Sequence, residues 1–449
     1  MGSSSRVERT QSTFLTLLGM AALLLFAGCA VALPHAATNA TATPQPTATV
    51  APTATPRPPT LHEMPVADPI FGLVATSDGH VWYGHGSALS SFNADGTPGP
   101  QVRLNGYVQS VVLGPGGRPW AVVRGSSGTS VVQVTSHGTM SYPVAAGYEV
   151  DSSYVTTGPD GALWYLAHSL LLIDRQGQGH TSSVLVRVSS SGQITQYPYP
   201  RANTIGRDFF GPANAAFAVG PDHRLWMVMV QETCTQQPTV VSCNDVGSQI
   251  AAVSMSGAVQ VYAPPGGQGM SADSIIAGTG GNLWVSISSK TSRAIATLST
   301  SGQFRVLPLP STTGGAAGMV SAPDGSIWFT TTDGSAIGNV SAAGVVSEQT
   351  TPSHVVRGTL PQDVTLPNSI VVGPGGVLWF TERLYDYLGY LRPGAATIAE
   401  IALPDSATYP LSVEGSLIAG PGDRLWYTRD FYKADTGYPT AGAVGFITP

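Results

Sequence analysis

Eight tryptophans recur along this chain, and each stands in the same short phrase. The phrase is a Gly/Pro/Asp turn followed by an apolar strand, as in GPDGALWY, GTGGNLWV and GPGGVLWF. The tryptophans are Trp82, Trp120, Trp164, Trp226, Trp284, Trp328, Trp379 and Trp426. The phrase therefore returns about every 49 residues. A period of this length indicates a repeat architecture and constrains the fold more than any other feature of the sequence.

Each phrase has the composition of a β-hairpin. Pro presets the backbone for the first corner of a turn, and Gly accepts the left-handed conformation that closes it. Two more strands follow each Trp, the first ending in a Ser/Gly turn (LVRVSSSG) and the second often ending in Pro (QFRVLPLP). Four strands, A to D, in a repeat of this length predict a β-propeller. We expect the broad Trp ring to fill the gap between neighbouring sheets.

The number of repeats and the two ends of the chain predict how the ring closes. We predict an all-β fold, a propeller of eight four-stranded blades; seven is the alternative, if the first, second or eighth copy lies outside the ring. The last repeat stops at AVGFITP, which is its strand C, whereas TLHEMPV (60–66) precedes the first strand A and looks like a strand D. The N-terminal strand is therefore expected to complete the last blade, which removes exposed sheet edges.

The residues before the repeats predict export and tethering. Residues 1–33 have a basic start and the apolar run FLTLLGMAALLLFAG, which is typical of an export signal. The run ends at Cys29 in FAGC, which is similar to a bacterial lipobox, so Cys29 is the predicted lipidation site. An uncleaved membrane helix from Phe14 to Leu33 is the alternative. Both interpretations place the rest of the chain outside the cytoplasm, at the cell membrane or secreted after processing.

The composition of the chain limits the classes of partner that it can bind. Residues 34–59 are rich in Pro, Ala and Thr and predict a disordered, extended spacer before a propeller at residues 60–449. Only 10% of the residues are charged and the net charge is −6, which argues against nucleic acid as a partner. We expect a monomer whose partners are the membrane, through a lipid or a helix, and a small-molecule, glycan or protein ligand.

Two further cysteines, Cys234 and Cys243, stand in QETCTQQPTVVSCND. Outside the cytoplasm, two cysteines this close in one loop predict a disulfide. A zinc pair is the alternative, although no His or further Cys lies nearby in sequence.

Loop lengths predict which face of the ring binds. The A–B and C–D turns share one face, the turn face, and the B–C and D–A connections share the other, the loop face. The A–B turns are short, whereas the B–C connections of repeats three, four and eight are long and carry LLIDRQGQGH, the two cysteines and DFYKADTGYPT. Insertions concentrated on one face indicate a working face. Simple drift in loop length is the alternative.

Polar residues three or four positions after a Trp lie where strand B reaches the loop face. These candidates for ligand binding are His85, Arg124, His168, Glu382, Arg429 and Asp430. Repeats seven, eight and one are neighbours in a closed ring, so Glu382, Arg429, Asp430 and His85 are expected to converge. Carboxylate, imidazole and guanidinium groups together can bind an anion, hold a metal or perform acid–base chemistry. An ordinary Glu382–Arg429 ion pair is the alternative.

The phrase GPGGVLWFTE and strand C forms such as IGNVSAAG resemble the streptogramin B lyases over residues 61–449. The resemblance implies a propeller, seven-bladed in that family, and an elimination that opens a cyclic depsipeptide lactone. It also implies a His base and Mg²⁺ held by glutamates, and Glu382 matches the metal-binding position of a WFTE strand. No base can be placed, because LPNSI carries Asn368 where the family has His, and an amide cannot take up a proton at neutral pH.

The sequence therefore predicts a membrane-tethered propeller outside the cytoplasm that binds a glycan, a cell-wall fragment or a protein on its loop face. The alternative is a streptogramin lyase-like or lactone-opening enzyme that depends on a divalent metal, Mg²⁺ or Ca²⁺. No catalytic residue is assigned. The metal-dependent alternative requires Glu382, His85 and Asp430 to approach a common point at metal–ligand distance.

Overall fold

A computed structural model describes residues 59–169, 172–173, 178–180, 183–198, 217–237, 240–266, 270–310, 314–332, 336–352, 367–382, 387–404, 411–432 and 439–448. These residues form antiparallel β-sheets and two short 3-10 turns, Pro115–Gly117 and Pro374–Gly376. Within the described ranges no helix has the length and apolar character needed to span a membrane. The predicted export signal, Cys29 and nearly all of the spacer lie outside these ranges.

The strands fall into eight consecutive sheets. Blade one contains β2 (Ile70–Ala75), β3 (His80–His85), β4 (Ala88–Asn93) and β5 (Pro98–Arg103). Blade two contains β6 (Tyr107–Gly114), β7 (Arg118–Gly125), β8 (Gly128–Thr135) and β9 (Gly138–Pro143). Blade three contains β10 (Tyr148–Thr157), β11 (Leu163–Ser169), β14 (Ser183–Val188) and β15 (Ile194–Pro198). Blade four contains β16 (Phe217–Val219), β17 (Leu225–Gln237), β18 (Val240–Val253) and β19 (Val259–Tyr262), extended by β12 (Leu172–Ile173) and β13 (Gln178–His180).

The second half of the ring repeats the same order. Blade five contains β20 (Ser271–Ala277), β21 (Leu283–Ser288), β22 (Arg293–Leu298) and β23 (Phe304–Pro308). Blade six contains β24 (Ala316–Ser321), β25 (Ile327–Thr331), β26 (Ala336–Val340) and β27 (Val346–Thr350). Blade seven contains β28 (Pro367–Val372), β29 (Leu378–Glu382), β30 (Tyr387–Leu391) and β31 (Ala399–Ala402). Blade eight contains β32 (Leu411–Gly420), β33 (Arg424–Tyr432), β34 (Pro439–Thr448) and the N-terminal strand β1 (Thr60–Val66).

Hydrophobic clusters occupy all eight interfaces between consecutive blades of the described structure. Each contains the Trp of the earlier blade, as predicted for a residue that fills the gap between sheets. At the last interface Trp426 of blade eight packs with Ile70 and Leu73 of blade one and with Val66 of the N-terminal strand β1. The eighth blade therefore contacts the first, which confirms a closed ring of eight blades and excludes the alternative of seven.

The repeated phrase has a local physical reason, and blade four shows it. A side chain at Gly220 would place its Cβ 2.4 Å from Nε1 of Trp226, so the indole requires glycine beneath it. The indole Nε1 donates to Oδ1 of Asp222 at 3.0 Å, and the Arg224 guanidinium donates to Oδ2 of the same carboxylate. Burial raises the pKa of Asp222, but these hydrogen bonds outweigh burial and leave it below its usual value. Turn and Trp thus stabilise each other.

The N-terminal strand closes the ring as predicted. β1 pairs antiparallel with β34 from Thr60 opposite Thr448 to Val66 opposite Gly442. Glu63 lies opposite Gly445, and Tyr427 from β33 lies across that glycine, since an added Cβ would be 2.2 Å from its ring. The Tyr427 hydroxyl donates to Oε1 of Glu63 at 2.9 Å.

The Glu–Gly–aromatic arrangement recurs in other blades and identifies β1 as a strand D by its sequence as well as its pairing. Glu348 on β27 lies opposite Gly338, which is covered by Phe329. Glu400 on β31 lies opposite Gly389 in the same way. In blade eight a hydroxyl-bearing Tyr replaces Phe and reaches the carboxylate, so the closing strand makes a polar contact that Phe329 cannot make.

The long connections build a β-extension beside blade four. β17 and β18 run for 13 and 14 residues, and β13 from the B–C connection of blade three pairs with β17, Gly179 lying opposite Cys234. In the β17–β18 ladder Cys234 lies directly opposite Cys243. The two cysteines therefore occupy one rung of this hairpin.

Candidate functional site

The site begins at His85, the last residue of β3, where strand B of blade one reaches the loop face. Its Nδ1 lies 3.1 Å from Oδ2 of Asp68, which belongs to the connection between β1 and β2. Its Nε2 lies 2.8 Å from Oγ of Ser90 on β4. Both ring nitrogens have partners, so the imidazole is held in one orientation.

This Ser–His–Asp order has the connectivity of a nucleophilic triad but the opposite exposure. Ser90 is 8% exposed, the His85 side chain 16% and the Asp68 side chain 51%. In an acyl-transfer triad the serine must reach the substrate, while the carboxylate is buried behind the histidine. Here the serine is the most buried of the three residues and the carboxylate the most exposed. The arrangement therefore positions His85 at the surface and does not present Ser90 as a nucleophile.

Asp430 on β33 joins this site from blade eight. Its Oδ1 accepts a hydrogen bond of 2.9 Å from the backbone N–H of Ile70, and Ile70 lies opposite His85 in the sheet of blade one. Burial raises the pKa of Asp430 to about 6, and the bond from Ile70 offsets part of that effect. A half-buried carboxylate with a raised pKa therefore joins blade eight to blade one at the loop face.

We expect the Asp430→Asn variant to remove part of the pH dependence of stability. Because the folded pKa is raised above the unfolded one, the cost of ionising Asp430 is absent below pH 4 and complete above pH 6. A rise from 3.8 to about 6 corresponds to about 3 kcal/mol. Between pH 4 and pH 8, the free energy of unfolding in urea should fall by about 3 kcal/mol more in the wild type than in the variant. An equal loss in both proteins would contradict the assignment.

Tyr107 and Arg124 continue the site onto blade two. Tyr107 begins β6, is 46% exposed and lies opposite Arg124 of β7. Its ring contacts Phe71 edge-on at a centroid distance of 5.2 Å. Burial, and then the nearby charges of Asp68 and Asp430, raise the pKa of Tyr107, so this phenol lies within the electrostatic reach of both carboxylates.

Arg124 links blade two to blade three. Its Nη2 lies 2.7 Å from Oε1 of Glu149 on β10, and Glu149 lies opposite His168 at the end of β11. Nδ1 of His168 is buried and has no hydrogen-bond partner among the described residues. Seven groups follow one another along the loop face of blades eight, one, two and three, and together they form the polar arc. They are Asp430, Asp68, His85, Tyr107, Arg124, Glu149 and His168.

Two of the six predicted residues lie elsewhere. Arg429 is buried, and its guanidinium donates to Glu63 at 3.0 and 3.2 Å and to the Pro404 carbonyl at 3.1 Å. Glu382 is 0% exposed at the end of β29. The expected convergence of four residues is therefore limited to His85 and Asp430. Arg429 serves ring closure because β1 brings a carboxylate beside it.

The metal expected from the resemblance has no matching donor set in the described residues. No group of three His, Cys, Asp or Glu side chains lies close enough there to hold an ion. Glu382, His85 and Asp430 do not approach a common point at metal–ligand distance. We therefore derive no chemical step through Mg²⁺ or Ca²⁺.

Asp68, Tyr107 and Glu149 were not among the predicted site residues. The prediction considered only the ends of strand B, whereas these three lie on D–A connections or at the start of strand A. Because strand A pairs with strand B, its first residues lie directly beside the B-strand ends. The first residues of strand A, taken together with the last residues of strand B in each repeat, are the signal that identifies them.

One solved structure, at a TM-score of 0.50, supports the fold. No family model matches the chain, and no curated protein matches it. A virginiamycin B lyase structure from Staphylococcus aureus is 18% identical with a TM-score of 0.50, covering 87% of this chain and 100% of that one. A streptogramin B lyase structure is 17% identical with a TM-score of 0.48 over 87% and 97% of the two chains. A puromycin hydrolase is 13% identical with a TM-score of 0.46, over 83% and 59%. This chain is thus an eight-bladed β-propeller whose fold is similar to that of virginiamycin B lyase.

Proposed function

We propose that this chain is a binding propeller that recognises a ligand on its loop face, outside the cytoplasm. The polar arc is the observation that carries the proposal. Its charged and aromatic side chains come from four neighbouring blades, and contacts between blades hold them while part of each pair stays exposed. Preorganised polar groups lose little freedom when a ligand binds, which favours recognition.

Export and tethering belong to the same proposal and rest on residues 1–33. The apolar run ending at Cys29 supports a lipid anchor at the outer side of the membrane, and the Pro-rich spacer would hold the ring away from the bilayer. A soluble glycan, a cell-wall fragment or an envelope protein would then be accessible to the loop face.

A disulfide between Cys234 and Cys243 is the expected consequence of export. Residues directly opposite in an antiparallel ladder have Cα atoms about 4.5 to 5.5 Å apart, which lies within the range that a disulfide spans. Intact-mass measurement of the secreted chain should show two hydrogens fewer than after reduction. The Cys234→Ser variant should show no such difference and one extra alkylatable thiol. Two free thiols in freshly secreted wild type would contradict the disulfide.

A lyase-like enzyme is the second candidate function. The pairing of Pro367 with Glu382 favours it, because Pro367–Ile370 then lie beside the WFTE strand, as the resemblance implies. Two features oppose it. Position 368 is Asn, which cannot act as the base, and Glu382 is buried.

Hydrogen exchange measured by mass spectrometry tests the proposed function. The ring closes within the described residues, so a chain beginning at Pro59 contains the whole propeller. It would be mixed separately with neutral oligosaccharides, peptidoglycan fragments, envelope proteins and a streptogramin. Binding predicts slower exchange at the loop face and not at the turn face with at least one class. No protection by any class would overturn the proposal. Appearance of a ring-opened streptogramin of unchanged mass would establish the lyase instead.

A further inference from the structure

We propose, resting on the proposed function, that the polar arc is a binding site for an extended neutral oligosaccharide, with the ring of Tyr107 as its stacking platform. The proposal concerns the chemistry of the ligand and the exact place where it binds. It follows from the exposure of Tyr107, the polar groups near it and the lack of a basic surface along the arc.

The surroundings of Tyr107 match a sugar ring. Its phenol ring is exposed, and the edge contact with Phe71 supports it from below. Arg124 lies opposite Tyr107 on the neighbouring strand, and the charge of Asp68 reaches the phenol. A pyranose presents an apolar C–H face to an aromatic ring, while its rim of hydroxyls both donates and accepts hydrogen bonds. A guanidinium and a carboxylate near an exposed ring supply those partners.

The charges of the arc disfavour a polyanionic ligand. Arg124 is the one Arg or Lys side chain of the arc and is paired with Glu149, while the Asp68 carboxylate lies beside the His85 imidazole. Asp430 adds a further negative charge at neutral pH, because its raised pKa of about 6 still lies below 7. A phosphorylated or nucleic acid ligand needs a basic surface, which the arc does not have. A protein partner normally buries a larger apolar centre, whereas the arc exposes one large aromatic side chain, Tyr107.

The length of the arc indicates a chain of sugars and not a single one. Asp430 reaches blade one through Ile70, the backbone of blade two donates from Val108 to Gly86 of blade one, and Arg124 reaches blade three. The arc is therefore continuous over four blades, and one sugar on Tyr107 would leave most of it empty. Affinity should accordingly rise with chain length.

Isothermal titration calorimetry with N-acetylglucosamine oligomers of one to six units tests the inference. These oligomers are uncharged and combine apolar faces with hydroxyl and amide groups. We expect the hexamer to bind at least tenfold more tightly than the dimer, and Tyr107→Ala to weaken hexamer binding about tenfold, as for an exposed aromatic anchor. Tyr107→Phe should bind nearly as well as the wild type, because it keeps the ring.

Leu113→Ala is the matched control. Leu113 lies on the same strand as Tyr107 and is 43% exposed, but it is at the turn-face end. Its truncation should leave binding unchanged. No binding of the hexamer, or hexamer binding that Tyr107→Ala does not weaken, would overturn the inference. If another ligand class still protects the loop face in the exchange experiment, the proposed function stands; if none does, both fall.

Discussion

A chain beginning at Ala67, which lacks β1, is expected to lose the cooperative unfolding transition of the chain that begins at Pro59. Its last blade would keep three strands, and β34 would present an unpaired edge over the length of seven lost residue pairs. Val66 would also be missing from the interface between blades eight and one. We expect the loss to be at least 5 kcal/mol, comparable with the whole stability of an ordinary domain.

Thermal unfolding followed by circular dichroism, together with gel filtration, would show this loss. The two chains differ only in residues 59–66, so the longer chain is the control. A synthetic TLHEMPV peptide added to the shorter chain should restore part of the transition, because β1 makes its contacts as a single extended strand. An unchanged melting temperature in the shorter chain would disprove closure by this strand.

Glu63→Ala is expected to destabilise the ring by about 3–5 kcal/mol, the cost of removing one partner of a buried ion pair. Glu63 accepts hydrogen bonds from the Arg429 guanidinium and from the Tyr427 hydroxyl. Arg429 is 1% exposed, so truncation of Glu63 would leave a buried cation without this carboxylate. Chemical denaturation at neutral pH measures the change in the free energy of unfolding.

Glu348→Ala is the matched control for this variant. Glu348 also lies on a strand D, opposite a glycine covered by an aromatic ring, but Phe329 has no hydroxyl to donate. Oε1 of Glu348 is buried and has no hydrogen-bond partner among the described residues, so its removal should cost little. A double-mutant cycle with Arg429→Met should give a coupling energy above about 1 kcal/mol. Equal losses of stability in the Glu63→Ala and Glu348→Ala variants would show that the ion pair does not contribute to ring closure.

Most of the fold could be predicted because its signals are local and repeated. The turn residues and the strand that carries Trp lie within one phrase, so eight copies support one interpretation, and six of them also place a Gly beneath the indole. The last repeat lacks a strand D, and the extra strand at residues 60–66 could be assigned to it from the sequence. The alternative of seven blades remained open only because some copies are degenerate in sequence.

The candidate site could be predicted only in part. The number of residues that separates each candidate from the preceding Trp was sufficient to place His85, Arg124, His168 and Asp430 on the loop face. It could not show which way Arg429 turns, because Arg429 and Asp430 are consecutive residues with opposite orientations on one strand. It also did not reveal Tyr107, which lies on strand A and has no Trp nearby to mark it.

The repeated phrase predicted eight blades, because each turn, its Trp and the strands that follow lie within one stretch of about 49 residues. The closing strand could be predicted by counting strands, since the last repeat lacks a strand D and residues 60–66 supply one. The side chains that meet across blades are visible only in the folded ring. Arg429 contacts Glu63 across 366 residues, and Asp430 contacts Ile70 across 360. Such pairs carry no local signal, because ring closure brings the first and last blades together only once every blade between them is in place.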